Sequence, residues 1–401
     1  MERVAVTGLG PVSSIGVGAS AFIGALRAGR SGISPIVSFD PTGFPSTQAG
    51  EVHGFRPTDH LRRIDPARWG RSSQFAASAA RLAMKHARLQ ADQIRPGRGH
   101  AVIGTTSGES QVLEALTAQV VHHGFQAQQP ELLQQLGANR LAHAVSEELD
   151  LCGESLTIAT ACSASNYAIG YAYDLLTAGE ADVVLAGGAD SVCRWAHAGF
   201  YRLGALTGTA CAPFDRDRSG ILTGEGGAVL VLETFAHAHA RGARIQAELL
   251  GYGLNCDASH PVAPDTASIA ECMRIAHRNA GVQAADVDYI CAHGTGTPAN
   301  DLVEGRAIQE VFRGQPPPVS SIKSMIGHTM GAACGFGAIA AVAAIDHGFL
   351  PPTINWQNPD PELEGLDPIP NTARSAAVRI AQNDGFAFGG NNAIVMLAAA
   401  P

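Results

Sequence analysis

Charged residues are scarce in this sequence: Asp, Glu, Lys and Arg make up only 16% of its 401 residues, against about 25% in a typical soluble domain. Hydrophobic residues nevertheless reach 46%, which excludes a disordered chain, because disorder requires low hydrophobicity and high charge. A surface with so little charge predicts that another subunit covers part of it. The formal net charge of −9 disfavours a nucleic-acid-binding role.

Signals for export, membrane insertion and metal binding are also missing. The opening residues, MERVAVTGLG, contain no basic segment followed by a long apolar one, so no secretory signal is expected. The longest uncharged apolar run, between His328 and Asp346, is rich in Ala and Gly and predicts a buried helix rather than a membrane span. The eight cysteines show no C-x-x-C pair and no metal-ligand spacing. We predict a cytoplasmic protein without a metal site, a membrane or a nucleic-acid partner.

Short runs of β-branched residues alternate with longer stretches rich in Ala and Leu. The short runs are apolar on both faces and predict buried strands, namely RVAVTG, HAVIG, SLTIAT, DVVLAGG, AVLVLE and DYICAHG. The longer stretches predict helices, namely FIGALRAG, QFAASAARLAMKHARL, NYAIGYAYDLLTAG, ASIAECMRIAHRNAG and GFGAIAAVAAIDHG. This alternation indicates an α/β fold with largely parallel strands.

Two segments of the chain share an internal order. Residues 171–188 and 273–294 both run through a helix, Ala-Gly, Ala-Asp-Val, a strand and a glycine. This echo suggests a duplicated half, although helix–strand units are common enough to match by chance. We predict two halves, residues 1–250 and residues 251–401.

The clearest chemical feature is Cys162. The segment Thr160-Ala161-Cys162 follows a predicted strand, and small residues open the helix after it. This pattern places the thiol at a helix N-terminus, where free N–H groups favour a thiolate and can bind a developing oxyanion. The pattern alone leaves two interpretations open: a nucleophile, or one of eight packed cysteines.

Three further segments place polar residues in glycine-rich settings. His293 follows the strand DYICA within AHGTGT, Lys323 and His328 precede the buried Ala/Gly helix, and the glycine-rich stretch 385–392 enters the last strand. A single histidine is more often structural than catalytic. A papain-like Cys/His peptidase would explain only one Cys and one His of this set. The opening VTGLGPVSSIG is an incomplete dinucleotide fingerprint.

Taken in order, TACSAS (160–165), AHGTGT (292–297), SSIKSMIGHTMGAA (320–333) and GFAFGGNN (385–392) resemble the motifs of the β-ketoacyl synthase family, the condensing enzymes of the thiolase superfamily. Further segments extend the resemblance over essentially the whole chain. It implies an α/β thiolase fold: duplicated α/β halves in a five-layer αβαβα arrangement, with two central sheets around buried helices. Family members are usually dimers.

The resemblance implies a division of catalytic roles. Cys162 would be the nucleophile that accepts an acyl group from a carrier-protein thioester. Its own N–H and that of Phe388 would form the oxyanion hole, and Phe388 would also act as a gate. His293 and His328, both neutral, would donate hydrogen bonds to the malonyl thioester while it loses carbon dioxide.

Supporting residues follow from the same resemblance. Lys323 would support the histidines, paired with Glu304. Ser107 and Glu109 stand in a loop where fatty-acid synthases of the family often carry a bulky apolar residue, which predicts a more polar or differently shaped acyl pocket. The expected substrate-binding residues are Thr295, Thr297, Ser107, Phe386 and Gly389.

The implied partner is an acidic acyl carrier protein, which delivers the phosphopantetheine, so no other cofactor is expected. The densest basic cluster comprises Arg62, Arg63, Arg68 and Arg71, and it predicts part of the docking surface; a solvated helix face is the alternative. The chain would form a homodimer or a heterodimer with a chain-length-factor-like subunit.

Four functions are compared at this stage. The motifs favour a ketosynthase of a type II polyketide or polyene pathway over a housekeeping fatty-acid synthase of the same chemistry. A non-catalytic chain-length factor is disfavoured by the intact Cys162. A thiolase proper would carry a second cysteine where this chain has its two histidines.

Overall fold

The computed structural model describes residues 2–400, in which sixteen strands and twelve α-helices are found. The strands are β1 (Val4–Ser13), β2 (Gly16–Val17), β3 (Ser34–Pro35), β4 (Gln48–Gly50), β5 (Gly99–Gly104), β6 (Ser155–Ile158), β7 (Val183–Asp190), β8 (Thr223–Gly224), β9 (Gly226–Thr234), β10 (Ala247–Cys256), β11 (Tyr289–Cys291), β12 (Val319–Ser320), β13 (Phe349–Leu350), β14 (Arg374–Ser375), β15 (Ile380–Phe386) and β16 (Asn391–Ala398). The helices are α1 (Ala19–Arg27), α2 (Arg71–Ala87), α3 (Ser110–His123), α4 (Pro130–Leu133), α5 (Arg140–Leu149), α6 (Ala164–Thr177), α7 (Arg194–Arg202), α8 (Phe235–Ala240), α9 (Thr266–Ala280), α10 (Pro298–Val311), α11 (Lys323–Ile326) and α12 (Ala333–His347).

The main sheet is continuous, with the strand order β12-β11-β15-β16-β10-β1-β9-β7-β5-β6 and β2 paired to β1. It consists of two five-stranded parts that meet where β1 and β10 pair antiparallel over only three residue pairs, Val4–Leu249 to Val6–Ala247. The two sheets expected from the family resemblance are therefore joined along one short seam.

Each half repeats one unit. The first half runs β1-α2-β5-α5-β6-α6-β7-β9, and the second runs β10-α9-β11-α10-β12-α12-β15-β16. Numbered within its own half, each set of strands has the order 3-2-4-5-1, and strands 3, 2 and 4 are parallel while strands 5 and 1 are antiparallel to their neighbours. The predicted duplicated fold is confirmed by this repetition.

The apolar character of each helix decides whether it lies in the central layer or in an outer layer. Helices α6 and α12 lie in the middle and contact strands of both halves, whereas α2 with α5 and α9 with α10 cover the two outer faces. Every residue of α12 from Ala333 to Ala344 is buried. The stretch Met330–His347 is long and apolar enough to cross a membrane, but 83% of it is buried inside the protein. The prediction of a buried core helix is confirmed.

Three details differ from the sequence-based expectations. The two echoing segments do not correspond, since 171–188 links a third helix to a fourth strand whereas 273–294 links a first helix to a second strand. The predicted boundary at residue 250 lies inside β10, and the division into 1–250 and 251–401 stays a prediction. Strand β6 is half-exposed rather than buried, because it is the last strand of the sheet.

Glycines let β1 and α2 approach closely. A Cβ on Gly10 would lie 1.9 Å from the carbonyl oxygen of Ala79 and 2.6 Å from the amide nitrogen of Ala83. Both contacts are to helical backbone, which cannot move aside without disturbing the outer layer.

We expect Gly10→Ala to lower the free energy of unfolding by about 2 kcal/mol or more, since the added methyl must push α2 away from the sheet. Gly24→Ala is the matched control, because a Cβ at Gly24 meets nothing within 4 Å in α1 and alanine favours a helix. Denaturant unfolding of both variants measures the difference. Equal stability of the two variants would contradict the close approach.

Candidate active site

Cys162 lies in the turn between the third strand and the central helix of the first half. Ala161 has φ of 48°, and a 3₁₀ turn, Ala161–Ser163, precedes α6. The second half has the corresponding turn between β12 and α12, where Met330 has φ of 52° and His328 lies just before it. Since α6 and α12 pack against each other, the repeated topology brings Cys162 and His328 to the same place.

The predicted nucleophile and both predicted catalytic histidines line one cavity of about 320 Å³. Cys162, His293 and His328 all line it, although the first is more than a hundred positions from the others. The two imidazole rings lie 5.6 Å apart between centroids and are nearly perpendicular, at 81°. The other predicted residues on its wall are Thr295, Thr297, Phe386, Phe388 and Gly389.

The Cys162 thiol is only 5% exposed. Burial raises its pKa to about 11, against the lowering effects of the Lys323 charge and the backbone N–H groups of Phe388 and Cys162 itself. Desolvation therefore outweighs the local donors. The expectation that this position favours a thiolate is wrong, but the two N–H groups expected to form the oxyanion hole both act on the sulfur.

The His328 ring is held in one tautomer. The backbone N–H of Met330 donates to its Nδ1 at 3.0 Å, so Nδ1 is the acceptor and the proton of the neutral ring sits on Nε2. Burial and the Lys323 charge lower the His328 pKa to about 3. The pKa of His293 also falls well below its usual value, from burial and the charges of Lys323 and His328. Both rings are therefore neutral, as expected.

Two charged side chains hold the backbone of His293. The Glu304 carboxylate accepts the N–H groups of His293 and Gly294, each at 2.7 Å, while the Lys323 ammonium donates to the His293 carbonyl. Glu304 and Lys323 form no ion pair among the described residues, so their predicted direct pairing is wrong. They act on opposite ends of the same peptide unit, which fixes the strand end that carries the imidazole.

The glycine-rich stretch 385–392 forms part of the cavity wall. Phe386 is buried with its ring 5.8 Å from that of His293, whereas Phe388 is 37% exposed and its ring lies 6.1 Å from that of Phe200. Gly389 and Gly390 have φ of 85° and 78°, a backbone conformation that side chains disfavour. A partly exposed aromatic directly before two such glycines fits the expected gate.

Comparison with known proteins places the chain in a family. The model of the β-ketoacyl synthase N-terminal domain matches residues 1–238, and the model of the C-terminal domain matches residues 246–357. A 3-oxoacyl-[acyl-carrier-protein] synthase 2 from Synechocystis sp. is 37% identical over 402 residues, covering 98% of this chain and 96% of its own.

The chain belongs to the β-ketoacyl synthase family.

Two solved structures agree with this assignment, and each match covers 100% of both chains. The ishigamide ketosynthase/chain length factor has a TM-score of 0.98 at 47% identity. A type II polyketide synthase acyl carrier protein in complex with its hexaketide-bound ketosynthase has a TM-score of 0.92 at 31% identity. The protein is thus a condensing acyltransferase with the thiolase fold.

The two residues expected to shape the acyl pocket, Ser107 and Glu109, do not line the cavity. Ser107 of the synthase is half-buried, does not line the cavity, and donates its backbone N–H to Asp190 at 3.1 Å. Glu109 accepts the N–H groups of Ser72 and Ser73 and thereby caps α2. Both residues are used in backbone anchoring, which a single sequence does not reveal.

The four arginines of the proposed docking surface separate in the structure. Arg62, Arg63 and Arg68 are exposed. Arg71 is wrong as a docking residue, because its guanidinium binds the buried Glu225 carboxylate at 2.6 and 3.0 Å and stacks against the core.

Sequence reasoning missed several cavity residues of the synthase. Phe200 of α7 lies 6.2 Å from the His328 ring and contacts the Phe388 ring. Leu203 and a segment between Asp257 and Pro264 complete the entrance. A lone aromatic in a helix is indistinguishable from a core residue by pattern, so no sequence signal was present for Phe200.

We expect the imidazoles of His293 and His328 to stay neutral between about pH 5 and 8, because a lowered pKa moves protonation below this range. His237 is the internal contrast, since its hydrogen bond to Glu233 raises its pKa and keeps it protonated to higher pH. Ring nitrogen NMR of histidine-labelled synthase measures all three. A protonation midpoint of His328 above about pH 5 would contradict the structure.

Proposed function

We propose that the synthase takes an acyl group from a carrier-protein thioester onto Cys162. The sulfur attacks the thioester carbonyl, the N–H groups of Cys162 and Phe388 stabilise the oxyanion, and the carrier thiolate leaves. The proton lost by the Cys162 thiol ends on the carrier sulfur, which keeps the step balanced.

The second half-reaction uses both histidines. Malonyl thioester binds with its carbonyl facing His293 and His328, and neutral donors stabilise the enolate that forms when the carboxylate leaves as carbon dioxide. The enolate carbon attacks the acyl carbonyl, and Cys162 departs as a thiolate. Because its pKa is raised to about 11, the thiolate then takes up a proton, so each turnover consumes one.

The observation that carries this proposal is the meeting of Cys162, His293 and His328 in one cavity. Lys323 and Glu304 position His293 there, and Thr295 and Thr297, whose hydroxyls lie 2.9 Å apart on the cavity wall, contact the pantetheine arm. Side chains and backbone donors supply every step, and no cofactor is proposed beyond the arm on the carrier.

A type II polyketide or polyene pathway is the proposed setting. The 47% identity to the ishigamide ketosynthase/chain length factor supports it, as does the ketosynthase solved with its hexaketide. The alternative is a housekeeping fatty-acid synthase, which the 37% identical Synechocystis enzyme favours. The chain-length-factor hypothesis is weaker, because Cys162 faces the cavity.

The proposed partners are an acyl carrier protein and a second ketosynthase-type subunit, identical or chain-length-factor-like. Strand β6 ends the sheet with Leu156 and Ile158 half-exposed, and an edge of this kind is suited to pairing with another chain. The exposed Arg62, Arg63 and Arg68 offer positive charge to an acidic carrier.

Intact-mass analysis with a panel of acyl-carrier thioesters tests the nucleophile. We expect Cys162→Ala to abolish loading and Cys272→Ala, a buried cysteine away from the cavity, to load like the wild type. Preferred loading of polyene chains over saturated ones supports the proposed pathway, and the reverse preference supports the fatty-acid alternative. Loading that persists in Cys162→Ala would exclude this residue as the nucleophile.

We expect His293→Ala to lower the rate of carbon dioxide release from malonyl carrier by at least about a hundredfold, the typical cost of removing a donor to a developing oxyanion. Loading of Cys162 should continue, because the imidazole acts only on the malonyl thioester. Trapping of released labelled carbon dioxide gives the rate. An unchanged rate would remove His293 from the mechanism.

Charge reversal at Arg63 tests docking. Arg63→Glu is expected to lower kcat/KM for carrier-bound substrate by about fivefold and to leave a small pantetheine thioester unaffected. Arg306→Glu is a matched control, since Arg63 and Arg306 each form an exposed ion pair at 2.9 Å and are similarly exposed. An equal effect of both reversals, or none, would exclude Arg63 from the carrier surface.

A further inference from the structure

A buried carboxylate ties the two halves together beside the cavity. Asp190 is the last residue of β7, is 0% exposed, and lies outside the residues that line the cavity. Its Oδ1 accepts the Thr105 hydroxyl at 2.8 Å and the Ser107 N–H at 3.1 Å. Its Oδ2 accepts the N–H groups of Thr106 and Gly331, each at 2.7 Å. Thus each carboxylate oxygen of Asp190 accepts hydrogen bonds from two neutral donors.

The fourth donor belongs to the other half of the molecule. Gly331 lies in the turn between His328 and α12, whereas the other three donors lie in the loop after β5. The Gly331 carbonyl accepts a hydrogen bond from the hydroxyl of Ser165 in α6. The peptide groups on both sides of Gly331 are therefore anchored by residues of the first half, Asp190 and Ser165. A Cβ on Gly331 would lie 2.5 Å from the Thr105 Cα and 2.6 Å from Asp190 Oδ2, so only glycine permits this approach.

The anchored turn determines the tautomer of the His328 ring. Met330 immediately precedes Gly331, and its N–H is the group that donates to Nδ1 of His328. The direction of that N–H depends on the turn in which Met330 has its positive φ of 52°. Holding Gly331 therefore holds the donor that places the His328 proton on Nε2.

We propose that Asp190 is a positioning residue for decarboxylation, acting through the Gly331 and Met330 peptide groups to fix the tautomer and direction of His328. The inference rests on the role proposed above for His328. Asp190 contacts neither substrate nor the reacting atoms. It also joins the His328 turn to the loop 105–107, so one side chain holds both.

Burial makes this carboxylate sensitive to substitution. Desolvation raises the pKa of Asp190 to about 6, and the four donors oppose that shift; the group is ionised at neutral pH. An asparagine could keep the Gly331 bond with its amide oxygen and donate its NH₂ group to the Thr105 hydroxyl, so Asp190→Asn would not release the turn. In the Asp190→Ala variant all four donors lose their acceptor, and both the turn and the loop are released.

Paired assays of Asp190→Ala separate positioning from general damage. We expect carbon dioxide release from malonyl carrier to fall at least about tenfold, while Cys162 loading changes by less than about threefold and the KM for malonyl carrier stays near the wild type. Ring nitrogen NMR should show proton density at Nδ1 of His328, assigned with His328→Gln. Asp182→Ala is the control, because Asp182 lies just before β7 and pairs with Arg95 and Arg98 instead.

Other outcomes count against the proposal. Unchanged carbon dioxide release, or an equal loss of loading and decarboxylation with the His328 tautomer retained, would overturn it. Should Asp190→Ala fail to fold, Ser165→Ala, which frees the Gly331 carbonyl, is judged by the same criteria. Failure of the proposed function is distinguishable, because then wild-type synthase itself would not release carbon dioxide, or His328→Gln would release it at the wild-type rate.

Discussion

The close contact between the N-terminal turns of α6 and α12 is the constraint on which the site depends. These two helices are the third of their respective halves, and they are buried between the sheets where both halves meet. The two turns meet directly, since the Ser165 hydroxyl donates to the Gly331 carbonyl and the Cys334 thiol donates to the Cys162 carbonyl. Glycines let the strands approach both turns, because a Cβ on Gly104 in β5 would lie 2.4 Å from the Ala164 backbone and one on Gly188 in β7 would lie 2.5 Å from the Gly331 carbonyl. Close packing at this point buries Cys162 and His328 almost completely.

Exclusion of water decides the electrostatics. Burial raises the pKa of Cys162 and lowers that of His328, so the nucleophile and the donors are all neutral before substrate arrives. The Lys323 charge lowers the pKa of both groups, which favours a thiolate and a neutral ring. For the thiol, the opposing effect of desolvation on the pKa is larger. Hydrogen-bond donors are thus in place, and among the described residues no lysine or arginine lines the cavity. This arrangement favours the stabilisation of charge only as it forms.

Much of this could be predicted from the sequence, and the failures have physical causes. Cys162, His293 and His328 were singled out by their places at strand ends and glycine turns, and the family resemblance then gave them catalytic roles. Duplication was predicted from segments 171–188 and 273–294, but these two segments do not correspond in the structure. The halves repeat in the order and direction of their strands, and not in these residues. The direct Lys323–Glu304 pair and the docking role of Arg71 failed because charge complementarity in a sequence does not specify which buried backbone or carboxylate a side chain reaches. Phe200 and Asp190 had no signal, as their importance lies in contacts distant along the chain.

The matching positions of the Cys162 and His328 turns have a consequence for how such a site could arise. When the turns are aligned at Ala161 and Met330, Cys162 corresponds to Gly331 and His328 corresponds to Ala159. Two identical half-length chains arranged about a twofold axis would carry the same residue at both copies of each position, so a cysteine in one turn would also stand where a Cβ would meet the Thr105 backbone. Fusing the copies into one polypeptide removes that requirement, so one turn can carry the attacking sulfur while the other keeps the glycine that lets the two halves meet.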